Sequence, residues 1–500
     1  MNIKKMTIIF ILCTGSLIAQ SSKNIFLNRE FWKSNPTVET VKQKIAEKNS
    51  PTALNSYGFD AVVYAMLEKA NNKVIKYLLS LKGNEVNKLT HDKRTYVFWA
   101  AYVNNLNLMK HLIANKARMD LKDSHHFSVA TFAAATGQTN TKIYDLCIQQ
   151  GIELKDDTDK NGANALLLIA PYLKDLSLTN YFVSKGVDLH SKDNNGNGLF
   201  NYAAKGGNKG FLEKIISKGI SPPKELNKKG ENALFLATKY SWNKGYNSLD
   251  YLKHLESYGL KANITTSEGL TPLHNLAYSN KDVKTFDYFL SKGVSANQKD
   301  KEGNTALINA AEKNDLPIVE LLAEKTQNIN HKNKEGLSAL SKAVKGNNIE
   351  VIEYLLKKGA DVKVVDYKGN TLAYYLVKSY TDKNKEVFTQ KKKLLAKKGL
   401  RFQTAQEKNN SLFHIAIEKN SVNLLKEISL LNIDLNSKNK DGLTALHKAV
   451  MQAENTKLIK YLLSIGADKA ITTDFGETVY ELAEENEILS SQNIDISFLK

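Results

Sequence analysis

The sequence predicts an all-α solenoid of about 13 helix-turn-helix units joined by β-turn or hairpin fingers. Turn glycines recur at Gly162, Gly196, Gly230, Gly269, Gly303, Gly336, Gly369, Gly442 and Gly476, with first spacings of 34, 34, 39, 34, 33 and 33 residues. After each turn the same chemistry returns: a short apolar stretch rich in Ala, a polar break, then a second apolar segment closing on Gly. Only seven prolines fall in 500 residues, so helices can run unbroken. A fixed period of about 33 residues marks stacked repeats, in which no unit buries its apolar face alone.

In chain order, Lys4 and Lys5 precede an apolar run from Met6 to Leu12 that resumes at Leu17 and Ile18 and reaches the small residue Ala19. This predicts a secretory signal peptide over residues 1–20 and a periplasmic or secreted mature protein. Thr14, Gly15 and Ser16 break the run well short of the roughly 20 residues a membrane span needs. Ile11 and Leu12 before Cys13 do not form a lipobox, so an outer-membrane lipoprotein is not expected. Residues 21–54 read as an N-terminal cap or half-repeat, 55–473 as the repeat array, and 474–500 as a C-terminal capping repeat bearing Glu481, Glu484, Glu485 and Glu487. Extra residues at 241–248 and 381–385 fall between the two helices of their units and are expected to project as loops from one continuous stack.

Within a unit, Asp or Asn with Lys ahead of glycine forms a turn in which glycine accepts a positive φ. The following Thr or Ser caps the first helix. Endings such as Lys357-Lys358-Gly359 stop the second helix and set cations on its negative end.

Gly269-Leu270-Thr271-Pro272-Leu273-His274, Gly442-Leu443-Thr444-Ala445-Leu446-His447 and Gly303-Asn304-Thr305-Ala306-Leu307 carry a further likeness. On these motifs the chain resembles the ankyrin repeat family, across roughly residues 55–500. Lys93, His126 and Asn409 stand where that family prefers glycine. The resemblance implies an ankyrin-repeat solenoid in which His274, His414 and His447 bond to loops. It also implies that a partner binds turn tips and the exposed side of the first helix, along a concave groove. Tip candidates are Lys301, Glu302, Lys334 and Glu335; first-helix candidates are Tyr102, Tyr172, Lys205, Lys239, Tyr240, Tyr278 and Lys345. A second column, six residues after each turn, runs Tyr64, Trp99, Phe132, Leu168, Tyr202 and Leu236, then Asn275, Asn309 and Lys342. Its rings are either packing between units or exposed anchors, since aromatics dominate interface energetics.

Catalytic, metal and cofactor residues are not expected. Asp157-Thr158-Asp159-Lys160-Asn161-Gly162 opens like a calcium loop, but its twelfth position is Leu168 in place of Glu. His125-His126 lacks metal-ligand spacing. No GxxxxGK[ST] loop or GxSxG elbow occurs. Cys147, the sole cysteine after the signal segment, sits in an apolar stretch and reads as a small buried hydrophobe. Lys391, Lys392, Lys393, Lys397 and Lys398 read as a solvated helix face.

The net charge of +18 is carried almost wholly by lysine, with arginine only at Arg29, Arg94, Arg118 and Arg401. Base and bidentate phosphate recognition favour arginine, so nucleic acid is disfavoured as a partner. The expected function is a monomeric, non-catalytic protein-binding scaffold of the bacterial envelope. Alternatives are a lysine-rich surface for an anionic polymer, polysaccharide or nucleic acid, and a secreted effector or inhibitor acting on a foreign protein.

Overall fold

The computed structural model describes residues 24–220, 222, 225–241 and 244–500; the signal-peptide reading of residues 1–20, with Cys13, lies outside them. Among the described residues the regular structure is helical, with β-pairing limited to isolated bridges such as Val365 with Thr371. The chain forms two compact units, Met1–Ala237 with Asp250–Leu260, and Thr238–Leu249 with Lys261–Lys500.

Most helices run five to nine residues, too short to persist alone in water. They persist by stacking like on like. In the first unit Tyr96–Tyr102 packs on Val129–Ala135; in the second Ala306–Lys313 packs on Ala339–Gly346, and Leu316–Glu324 on Ile349–Lys357. Small residues let first helices be enclosed on nearly all sides: Val129, Ala130, Thr131, Phe132, Ala133 and Ala134 are all buried. Residues 24–54 hold the helices Arg29–Lys33 and Val38–Ala46, anchored by buried Trp32, whose Nε1 donates to the Phe26 carbonyl at 2.8 Å. Helices Val479–Glu484 and Glu487–Ser491 close the other end.

The fingers are built on an aspartate or asparagine ring. Asp300 Oδ1 accepts from the amides of Glu302 (2.9 Å) and Asn304 (2.8 Å), its own amide donates to the Asn304 carbonyl, and Gly303 takes φ +79°. Asp123, Asp159, Asp193, Asn333, Asp366 and Asn439 close the same ring. Adjacent fingertips are tied backbone to backbone. Lys301 N–H donates to the Glu268 carbonyl at 2.7 Å and Lys334 N–H to that of Glu302 at 2.8 Å, as Ser124 does to Asp92 in the first unit. Lys93, His126 and Asn409 keep the left-handed turn without glycine, at φ +61°, +65° and +59°.

Neither insertion is a bare loop. Ser241 bridges to Gly245, and the Tyr246 hydroxyl beyond them donates to the Asn275 carbonyl at 3.1 Å, which folds the segment onto the next first helix. The second insertion forms a 3-10 turn, Asp382–Asn384, that runs into Lys385–Lys397, a helix of 13 residues.

Candidate functional site

Two hallmark histidines, His274 and His414, link one repeat to the next. His274 Nδ1 accepts from the Thr271 amide at 3.1 Å, and its Nε2 lies 3.1 Å from the Asn304 carbonyl of the following finger. His414 repeats this with Ser411 (3.1 Å) and the Leu443 carbonyl (2.9 Å), and His447 Nδ1 accepts from Thr444 at 3.0 Å. A ring whose Nδ1 accepts while Nε2 donates is neutral, and burial holds all three below the usual histidine range. With the folded pKa below the unfolded value of about 6.5, the unfolded state takes up protons first as pH falls. Stability is therefore full above that value and lost below it. The urea midpoint of the second unit is expected to fall from pH 7 to pH 5, and the fall to shrink in a His414→Gln, His447→Gln variant.

In the first unit, Trp99, Phe132 and Tyr202 are buried, as is Leu236, while Tyr64 and Leu168 are half-buried. Trp99 Nε1 donates to Thr90 Oγ1 at 2.8 Å, and its ring stands edge-on to Phe132 with centroids 5.9 Å apart. The Tyr202 hydroxyl donates to Asp193 Oδ2 at 2.9 Å; that of Tyr64 accepts from Asn55 at 2.8 Å. These rings pack between repeats and brace the fingers, which decides for the packing alternative over exposed anchors and takes Trp99, Phe132 and Tyr202 out of the candidate partner surface. Tyr102, three residues on from Trp99, points outward at 43% exposure with its ring 6.1 Å from Phe132. Tyr172 and Lys205 are half-buried: the Tyr172 hydroxyl donates to the Ala135 carbonyl at 2.9 Å, and Lys205 Nζ sits 4.4 Å from the Tyr202 ring.

In the second unit, Lys239 is exposed, as are Tyr240 and Tyr278 at 46% and 58%. Tyr240 stands edge-on to Tyr246 at 5.3 Å, and Lys313 Nζ lies 5.7 Å from the Tyr278 ring. Lys345 is exposed and pairs with Glu312 Oε1 at 3.0 Å, while Lys342 pairs with Oε2 at 3.0 Å. Glu418 is bracketed likewise by Lys378 and Lys448, each at 2.8 Å. Lys301, Glu302, Lys334 and Glu335 are exposed at the tips, where Lys301 pairs with Glu268 at 2.9 Å. Sequence reading missed Glu312, Glu418 and Tyr246. Counting nine residues from each turn finds the two glutamates, in one column with Tyr278, Lys345 and Lys378.

Two lysines of the basic run depart from a solvated face. Lys391 and Lys392 are buried, the first donating to the Val344 carbonyl at 3.2 Å, the second to Glu427 Oε2 at 2.6 Å; Lys393, Lys397 and Lys398 are exposed. Cys147 is buried, and burial pushes its thiol up to about 12. The calcium-like stretch is a finger: Asp159 closes its ring and Asp157 accepts from the Ser128 hydroxyl. Among the described residues, no group of three His, Cys, Asp or Glu is arranged to hold a metal ion, and no helix is long and apolar enough to cross a membrane.

A family model described as ankyrin repeats in three copies matches residues 241–333, 383–473 and 413–490, and another, ankyrin repeats in many copies, matches 321–375. An ankyrin repeat protein of fowlpox virus (strain NVSL) is 27% identical over 165 residues, 32% of this chain and 47% of that protein, so the match spans about half the relative's length. The crystal structure of the human ASB11 ankyrin repeat domain is similar over 45% of this chain and 97% of that chain, at 17% identity and a TM-score of 0.38. The matched models make residues 241–375 and 383–490 similar to ankyrin repeats, and the same finger ring recurs ahead of them at Asp123, Asp159 and Asp193.

Proposed function

We propose that the chain is a non-catalytic protein-binding scaffold that takes its partner along the first-helix faces and the turn tips. One observation carries this reading: first helices that are otherwise enclosed turn large side chains outward at one repeated position, Tyr102 in the first unit and Tyr278 in the second. Exposed tyrosines on a rigid helix supply contact area at low entropic cost. The signal-like segment at residues 1–20 supports a place in the bacterial envelope, periplasmic or secreted, where the chain acts on a protein of its own cell or on a foreign one.

The net charge of +18 favours a second reading, an anionic polymer held by lysines. Salt separates the two, because counterion release makes polyanion affinity fall steeply with ionic strength. A Tyr102→Ala, Tyr278→Ala variant, used beside wild type to capture partners from envelope extract, is expected to recover the specific partner at least about tenfold less well, with unchanged far-UV dichroism. Equal recovery by both proteins overturns the scaffold reading.

A further inference from the structure

Resting on that reading, we propose that the first-helix face of the second unit takes an acidic polypeptide segment that carries aromatic or apolar side chains among its carboxylates. Charge geometry points there. Both oxygens of Glu312 are engaged, Oε1 by Lys345 and Oε2 by Lys342, and both oxygens of Glu418 are engaged by Lys448 and Lys378. Each cluster therefore holds two ammonium groups to one carboxylate. An incoming lysine meets net positive charge, whereas an incoming carboxylate meets a surplus cation at each step.

The same pattern selects among anions. A uniformly charged polymer sets a solvated charge against the exposed tyrosine rings as well as the lysines, while a polypeptide can set its carboxylates at the lysine clusters and an apolar or aromatic side chain at the rings. The lysines are point charges that lack the planar fork arginine offers to phosphate. One repeat before the Glu312 cluster lies the exposed ring of Tyr278, with Lys313 Nζ 5.7 Å from it, and at the preceding insertion exposed Tyr240 stands edge-on to Tyr246, whose hydroxyl is fixed to the Asn275 carbonyl. Fixed aromatic surface beside surplus cations fits an apolar or aromatic side chain flanked by acids.

The full chain is tested by fluorescence anisotropy against a labelled random copolymer of glutamate and tyrosine. Binding is expected, weakened at least about tenfold by Lys345→Glu with Lys378→Glu and about tenfold by Tyr278→Ala, and kept by Lys345→Arg with Lys378→Arg. Far-UV dichroism and the urea midpoint confirm that each variant is folded. No binding, binding indifferent to these changes, or tighter binding of heparin overturns the inference. A cellular partner that depends on Tyr102 and Tyr278 but crosslinks through a neutral or basic segment also overturns it and leaves the scaffold reading standing. A partner indifferent to those tyrosines removes both.

Discussion

Arg94→Ala is expected to destabilise the first unit by about 3–5 kcal/mol, the range for breaking a buried ion pair from one side. Arg94 is buried, and its guanidinium meets Asp123 Oδ2 at 2.8 Å and Asp92 Oδ2 at 3.1 Å. Its other face lies 4.3 Å from the Phe132 ring centroid and 5.5 Å from that of Trp99. Asp123 is fully enclosed, and its other oxygen already serves the finger amides of His125 and Phe127, so loss of the arginine strands a carboxylate inside the protein. Arg94→Lys should recover little, since a point charge cannot bridge both aspartates and lie flat on the rings. Arg94→Met with Asp123→Asn should recover much of the loss, because asparagine builds the same finger ring at Asn333 and Asn439. Urea unfolding followed by tryptophan fluorescence reads the effect, and a loss below about 1 kcal/mol, the scale of an exposed pair, would contradict it.

Lys391→Met is expected to act in the opposite direction, stabilising the second unit at neutral pH by about 2 kcal/mol. Burial pushes the Lys391 ammonium down to about 8 from an ordinary 10.5. That displacement corresponds to about 3 kcal/mol of unfavourable charge burial, offset by about 1 kcal/mol for the hydrogen bond to the Val344 carbonyl that the methionine gives up. The folded pKa lies below the unfolded one, so between pH 8 and 10.5 the unfolded state binds more protons and wild-type stability gains with rising pH. Below pH 8 both states are protonated and the penalty is present in full. The advantage of the methionine variant should therefore hold up to about pH 8 and shrink toward pH 10.5. A gap in urea midpoints that does not change with pH would show that Lys391 escapes desolvation.

Much of this was legible in the sequence, because the repeat forces each position to report on its neighbours. The ankyrin resemblance puts Lys93, His126 and Asn409 at turns where glycine is preferred, and all three adopt the left-handed backbone of such a turn. His274 and His414 make the finger contacts expected of them. The partners of Lys391 and Lys392 were not legible: Val344 and Glu427 lie 47 and 35 residues away in sequence, and a run of lysines carries no sign of which ones a longer helix turns inward. The aromatic column stayed open between packing and exposure for a related reason. Trp99 and Tyr202 have a partly polar edge, which suits either a wet interface or a buried contact, and only the positions of Thr90 and Asp193 decide for the second.

The tie between neighbouring fingertips also sets where the chain tolerates growth. At Ser124, Asn194, Lys228, Lys301, Lys334, Tyr367 and Lys440 a tip amide reaches for one carbonyl on the finger before it, so a residue added within such a finger would pull it out of register with the fingers on either side. The connection between the two helices of a repeat is tied by single side chains instead, as where Asn314 Nδ2 donates to the Ala277 and Asn280 carbonyls, so it can lengthen around such a contact. Both long insertions, at 241–248 and 381–385, occupy that connection. Foreign peptides grafted there would be absorbed, and the same peptides placed at Lys301 or Lys334 would break the ties to the neighbouring fingers.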